Sequence, residues 1–353
     1  MIVSDARTDL IQAWLRGDLG WREATLAPAS ADASFRRYFR VTSPDGTTRI
    51  VMDAPPAHED VAPYLRVSQL LGACGVHVPR VDAADPVRGL VLLEDLGSEH
   101  YLARLTGGGD ADALYADALE TLARMQVRGR EAATRLAPYD EAALARELGL
   151  MPEWFLTRHL GLKLDDSDRE VIELTFGLLV REALAQPRVF VHRDYHSRNL
   201  MLLPADNPGV IDFQDALAGP VGYDLVSLLK DCYIAWPRAR VEHWVERHRQ
   251  RLTALDADVI AGADAGQFLR WFDLIGVQRH LKVLGIFARL WYRDGKPGYL
   301  ADLPRTLDYV RDTARCYPEL APFGRWLELR VLPGFAAANA RELVRSAQPA
   351  AVL

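Results

Sequence analysis

The stretch VFVHRDYHSRNLMLL (189–203), followed by GVIDFQDA (209–216), decides how this 353-residue chain reads. The spacing H-x-D-x-x-x-x-N falls on His192, Asp194 and Asn199, and a second acid, Asp212, closes the next apolar run. These residue types suit phosphoryl transfer. A carboxylate such as Asp194 orients an attacking alcohol and takes its proton. Asn199 offers an amide oxygen and Asp212 a carboxylate, the hard donors that magnesium prefers. A structural reading would make His192 a packed imidazole and the two aspartates turn caps. Against it, an apolar strand-like run precedes each acid (189–192 and 209–213), as a β-hairpin metal site requires.

Outward from that core, the pattern differs on its two sides. Towards the N-terminus, residues 4–17 read as an amphipathic helix with Ser4 as N-cap. Strands at 35–41 and 49–52 flank the turn signal SPDG (43–46), and GLVLL (89–93) is a third strand candidate. Residues 58–73 read as helix, PRVDAADP (79–86) as a turn-rich connector, and TGGGDAD (106–112) as a loop. Further on, apolar spacing of three and four marks helices at 110–126, 167–185 and 268–293. The expected organisation is a β-rich lobe over 1–95 with a leading helix, a hinge near 94–98, and a helical lobe over 96–353.

Composition narrows the function. The chain is 49% hydrophobic and 25% charged with a formal net charge of −6, which argues against a nucleic-acid binder. Three dispersed cysteines, Cys74, Cys232 and Cys316, form no disulfide framework or zinc site. Asp5 and Asp9 stand where a signal peptide would be basic, and no apolar run is long enough to span a membrane. A cytoplasmic protein with no membrane, nucleic-acid or obligate protein partner is expected. Of 42 basic residues only Lys163, Lys230, Lys282 and Lys296 are lysines, so the first 162 residues carry none.

The motif set resembles the aminoglycoside phosphotransferase and choline kinase superfamily, relatives of the protein kinases, over roughly residues 25–320. The resemblance implies an α+β, bilobal protein-kinase-like fold that uses ATP and Mg2+. It makes Asp194 the catalytic base, Asn199 and Asp212 the metal ligands, and His192 a brace for the loop. Asp224, in GPVGYDLVSLL (219–229), would tie that loop to the following helix. LLEDLG (92–97) matches the hinge, with backbone groups near Glu94 and Leu96 facing adenine. ASADASFRRYFRV (29–41) matches the nucleotide-covering hairpin, with Ser34 near the phosphates. ASFRRYFR, VMDAPP (51–56), GPVGYDLVSLLKD and VQRHLKVLGIFARL (277–290) further resemble the cell-wall sugar anomeric kinases. That narrower resemblance implies phosphorylation of N-acetylmuramate or N-acetylglucosamine at C1 during peptidoglycan recycling.

One departure stands out. The third strand reads Arg49-Ile50-Val51-Met52-Asp53 where the family places a phosphate-binding lysine. Either the nucleotide site is dead or an arginine such as Arg36, Arg37 or Arg49 supplies the charge. Segment 270–296 carries six cationic side chains against two acids, net +4, which suits a neutral or carboxylated amino sugar better than a polycation. Arg279, His280 and Lys282 are the candidate substrate residues, and Arg198 in the loop is a candidate clamp or a salt-bridge partner. Tyr233, Trp236, Trp271 and Trp291 are candidate sugar-stacking rings or simply core. Antibiotic phosphotransfer and a regulatory pseudokinase are the competing readings.

Overall fold

The computed structural model describes residues 5–31 and 35–347. Its elements run α1 (Ala6–Gly17), β1 (Thr25–Ala31), β2 (Arg37–Thr42), β3 (Thr48–Asp53), α2 (Ala62–Ala73), β4 (Val81–Asp85), β5 (Leu90–Glu94), α3 (Tyr101–Thr106) and α4 (Ala111–Arg128). There follow α5 (Arg130–Ala133), α6 (Glu141–Leu148), α7 (Asp166–Leu184), β6 (Arg188–Val191), β7 (Leu200–Met201), β8 (Gly209–Val210) and β9 (Leu217–Pro220). The C-terminal helices are α8 (Tyr223–Leu229), α9 (Arg238–Leu255), α10 (Ala265–Tyr292), α11 (Leu303–Cys316), α12 (Ala321–Trp326) and α13 (Leu332–Ala347). Two compact units result: Met1–Gly129 with Ser197–Ala216, and Arg130–His196 with Leu217–Leu353. Where the sequence suggested a division at 95/96, the first unit also takes in α3, α4 and the segment 197–216.

The first unit is built on an antiparallel sheet in the order β1-β2-β3-β5-β4. Alternation along β2 and β3 buries Phe39, Val41 and Val51, which join Leu90 and Leu92 in a cluster closed by Ile11, Trp14 and Leu15 of α1. Each such side chain contributes about 1.5–3 kcal/mol relative to exposure, so α1 is a structural part of the sheet. Its cap is Asp5, whose carboxylate accepts from Thr8 N at 2.8 Å, and not Ser4, which lies outside the described residues. Sequence reading assigned no strand at β1 and took β4 for a turn-rich connector. Both are edge strands, where Pro28 and the acids of VDAAD are tolerated because one side of the ladder is unpaired.

The second unit surrounds α10. Between Trp271 and Gly285 every residue of this helix is buried, the polar Asp273, Gln278, Arg279, His280 and Lys282 included. It packs against α7, α8, α9, α11 and a wide helical turn at Met151–His159. Gly285 permits the last contact: a Cβ there would lie 2.4 Å from the carbonyl carbon of Leu150. The buried charges Asp273, Arg279 and Lys282 of this helix are each partnered, as burial demands. Asp273, for example, receives Lys230 at 3.0 Å, Arg238 at 2.6 Å and the Tyr317 hydroxyl at 2.9 Å.

The expected hairpin between 189–192 and 209–213 is corrected by the strand pairing. β6 pairs with β9 in the second unit, whereas β7 pairs with β8 in the first. Short apolar runs announce strands but do not specify partners. The α+β class is as expected. Among the described residues no helix is long and apolar enough to cross a membrane.

Candidate active site

The candidate base lies on a turn that the second unit holds from beneath. Strand β6 ends in the fully buried His192, and the chain then passes through Arg193 at φ +80°, a left-handed conformation that bulky residues avoid. Asp224, enclosed in the first turn of α8, holds the turn with both oxygens. Oδ2 accepts from His192 N at 2.7 Å and Oδ1 from Arg193 N at 2.9 Å. Burial pushes the Asp224 carboxyl up to about 7, against the lowering effect of those two donors. The His192 ring accepts from Asp194 N at 3.3 Å and meets Tyr195 edge-on. The Asp194 side chain is left 46% exposed.

Positive charge gathers behind that carboxylate. The buried Arg279 of α10 places Nη2 3.6 Å from Asp194 Oδ1 and donates through Nε to Ser227 Oγ at 2.6 Å. Lys282, one turn on, reaches Glu147 at 3.1 Å and the Tyr223 hydroxyl at 3.0 Å. Glu147, at the end of α6, also receives Arg193 and the Tyr139 hydroxyl. Burial tends to raise the Asp194 pKa, but Lys282, Arg279, His196 and Arg193 outweigh it and hold the carboxyl at about 2. A carboxylate held ionised in this way can accept a hydrogen bond from a hydroxyl. Glu147 escaped sequence reading because nothing in DEAALAREL separates it from a solvated helical acid.

The metal-ligand candidates meet in the first unit. The short β7–β8 ladder pairs Leu200 with Val210, and Ile211 N donates to Asn199 O at 3.1 Å. Asn199 Nδ2 thereby lies 3.3 Å from Asp212 Oδ2, while Gln214 donates to Asp212 Oδ1 at 2.9 Å. Asp212 adopts φ +63°, and the next residue, Phe213, is buried against Tyr64 at 4.8 Å. Turning the Asn199 amide end for end sets an oxygen beside the carboxylate. Among the described residues no group of three or more His, Cys, Asp or Glu could hold a metal. One carboxylate and one amide oxygen fit magnesium, which takes few protein ligands and completes its shell with water and phosphate.

Other sequence candidates fall into three groups. Ser34 lies outside the described residues. Arg36 has its guanidinium 3.7 Å from Asp212 Oδ1. Arg198 is exposed, Leu96 is buried, and Glu94 N donates to the Arg80 carbonyl at 2.9 Å. The segment 94–98, expected to be a hinge, lies within the first unit and is held by Arg40, which donates to Asp95 at 2.6 and 2.9 Å and to the Gly97 carbonyl at 2.9 Å.

Several expectations are corrected. Arg37 is committed to Asp53 at 2.6 and 2.9 Å and to Asp5 at 2.5 Å, and Arg49 is paired with Asp82. His280 belongs to the core. Its ring stacks on Tyr309 at 4.8 Å, Nε2 lies 2.9 Å from the Lys230 carbonyl, and burial pulls its pKa down to about 3. Arg279 and Lys282 are 3% and 6% exposed, so they support the loop and are not a surface for sugar. The basic excess of segment 270–296 is largely absorbed by Glu182, Glu319, Glu147 and Asp194 from outside it, and carries no argument about substrate charge. Trp271 is core, Trp291 donates to Glu342 at 2.9 Å, and Trp236 packs edge-on against Trp244. Tyr233 differs: it is partly exposed and meets His196 of the loop edge-on at 5.4 Å.

An antiparallel five-stranded sheet, a helical unit, and a carboxylate on a loop anchored by a helix aspartate define a kinase-like phosphotransferase. The chain belongs to the phosphotransferase enzyme family, whose family model matches residues 25–264. It is similar to proteins named N-acetylmuramate/N-acetylglucosamine kinase. The Pseudomonas aeruginosa relative is 48% identical over 92% of this chain and 96% of its own length. The Neisseria meningitidis relative is 46% identical over 88% and 92%. Among solved structures, the fold is similar to that of choline kinase from Cryptosporidium parvum Iowa II, with a TM-score of 0.61 at 12% identity over 91% of this chain and 99% of that one. It is also similar to the ADP-bound aminoglycoside phosphotransferase APH(2'')-Ib, with a TM-score of 0.55 at 14% identity over 88% and 99%.

Proposed function

We propose that this protein is an ATP- and Mg2+-dependent sugar kinase that phosphorylates the anomeric hydroxyl of N-acetylmuramate, N-acetylglucosamine or both, in peptidoglycan recycling in the cytoplasm. Near-full-length similarity to kinases of that name carries the choice of substrate. The ionised, partly exposed Asp194 beside the left-handed turn supports the chemistry. Asp194 accepts a hydrogen bond from the C1 hydroxyl, orients its oxygen towards the γ-phosphorus, and takes the proton as the new O–P bond forms. The bond from the γ-phosphorus to the β,γ-bridging oxygen breaks and the nucleoside diphosphate leaves. The proton then passes to solvent. His192 and Asp224 hold the loop backbone, and Arg279 keeps the carboxylate ionised. Asn199 and Asp212 would hold magnesium, which when bound neutralises charge on the phosphate oxygens. Arg198, exposed on the same loop, is proposed as a contact to the transferred group.

The test is a panel of amino sugars and kanamycin with labelled ATP, with C1 resolved from C6 phosphate. Sugar 1-phosphate from the acetylated amino sugars is the expected product. Faster transfer to kanamycin, or no transfer to any acceptor by folded protein, overturns the reading. Asp194→Ala should lower kcat at least 10³-fold while changing the Kd for ADP by less than threefold, since it removes the proton acceptor and spares the nucleotide site. Retained turnover would show that Asp194 is not the base.

A further inference from the structure

A triphosphate brings several negative charges into a site, and a kinase must meet them with cations besides the metal. In this chain the third strand offers the opposite charge. Asp53 is fully buried, and strand register explains its role. It pairs with Arg37 of β2 and Leu90 of β5, on the face shared by Phe39, Val51 and Leu92, which α1 covers. There it is enclosed by Arg37 and by Arg7 of α1, which also donates to the Arg88 carbonyl at 2.8 Å. Asp53 therefore fastens the N-terminal helix to the sheet and takes no part in phosphate binding. The sequence suggested that an arginine replaces the family lysine at this point, but Arg37 is consumed in the fastening and Arg49 faces Asp82.

Arg36 stands one residue before β2. Its side chain is 10% exposed, and its guanidinium lies 3.7 Å from Oδ1 of Asp212. Helix α2 presents Tyr64, tilted against Phe213 with ring centroids 4.8 Å apart. Both groups thus converge where a metal-bound phosphate would lie if Asp212 is a metal ligand. We propose that Arg36 is the phosphate-binding cation of this kinase, exchanging its contact with Asp212 for the nucleotide's phosphate oxygens, so that the missing lysine is replaced from the hairpin and not from the third strand. The guanidinium fork suits two phosphate oxygens at once. This inference rests on the kinase reading above.

The experiment measures binding of ADP and of adenosine by calorimetry, with and without Mg2+, for the parent, Arg36→Met and Arg49→Ala. Arg36→Met should weaken ADP by ten- to a hundredfold and leave adenosine within twofold, because only the phosphates are contacted. Arg49→Ala should change neither. Equal ADP affinity in the parent and Arg36→Met overturns the assignment, and so does a parallel loss of adenosine, which would mean a merely structural role. A parent protein that binds no ADP at all instead overturns the kinase reading. Should Arg36→Met fail to fold, Arg36→Lys is measured in the same way. It keeps the charge but loses the fork, so a three- to tenfold loss on ADP alone is expected, and no loss refutes the proposal.

Discussion

Replacing Asp53 by alanine tests the buried fastening of α1 to the sheet. The carboxylate is fully buried and receives both Nε and Nη2 of Arg7 and of Arg37, so its removal takes away four charge-assisted donors' acceptor at once. Breaking a buried ion pair by deleting one partner costs about 3–5 kcal/mol. Here the two guanidiniums are 25% and 37% exposed, and each retains another acceptor, the Arg88 carbonyl and Asp5 respectively, so the lower end applies. A loss of about 3 kcal/mol corresponds, for a chain of 353 residues, to a fall in melting temperature of roughly 4 °C. Differential scanning calorimetry reads this directly. Arg7→Ala alone should cost less, and the double substitution less than the sum, since each removes the same contact. Asp53→Lys, which puts a cation back on the third strand, should be worse than alanine because it sets a third positive charge between two arginines. A shift below 2 °C for Asp53→Ala, or strict additivity with Arg7→Ala, would refute the fastening.

Two further consequences concern the second unit. Glu147→Gln leaves Lys282 and Arg193 facing a neutral amide, so the left-handed turn before Asp194 loses its ionic support. Steady-state kinetics should show kcat falling about tenfold or more with the KM for ATP nearly unchanged, and an unaltered kcat would deny that support. Asp168, 2% exposed and bonded by Arg330 and the Trp326 indole, has its pKa lowered to about 2, chiefly by the Arg330 hydrogen bond. A depressed folded-state value means that its stabilisation, on the order of 2 kcal/mol, is fully present above about pH 4 and is lost as pH falls towards 2. Urea unfolding of Asp168→Asn against the parent should show that gap at pH 6 and a narrower one at pH 3; a constant gap would disprove the linkage.

Much of the site was legible because kinase-type chemistry leaves a local trace. His192, Asp194 and Asn199 lie within eight residues and Asp212 follows shortly, so spacing alone exposes them. The strongly periodic helices were legible for the same reason. The edge strands were not: β1 and β4 need no clean alternation, since half their backbone is unpaired in the sheet. Glu147 was invisible because it acts across 46 residues of chain on Arg193 and across a helix on Lys282. His280 and Lys282 looked like ligands because sequence shows that a polar residue occurs on a helix, but not whether the helix is enclosed.

The sequence by itself therefore determined the reaction class, through side-chain types whose chemistry and spacing belong together in one short loop. It also determined that the third strand lacks a lysine. Only the tertiary structure decided what that absence means. Strand register sends Asp53 and Arg37 to the face covered by α1, where burial obliges opposite charges to pair, while Arg36, just before β2, lies beside Asp212. A one-residue difference in a strand reverses the face a side chain meets, and no composition or motif records which face is already taken.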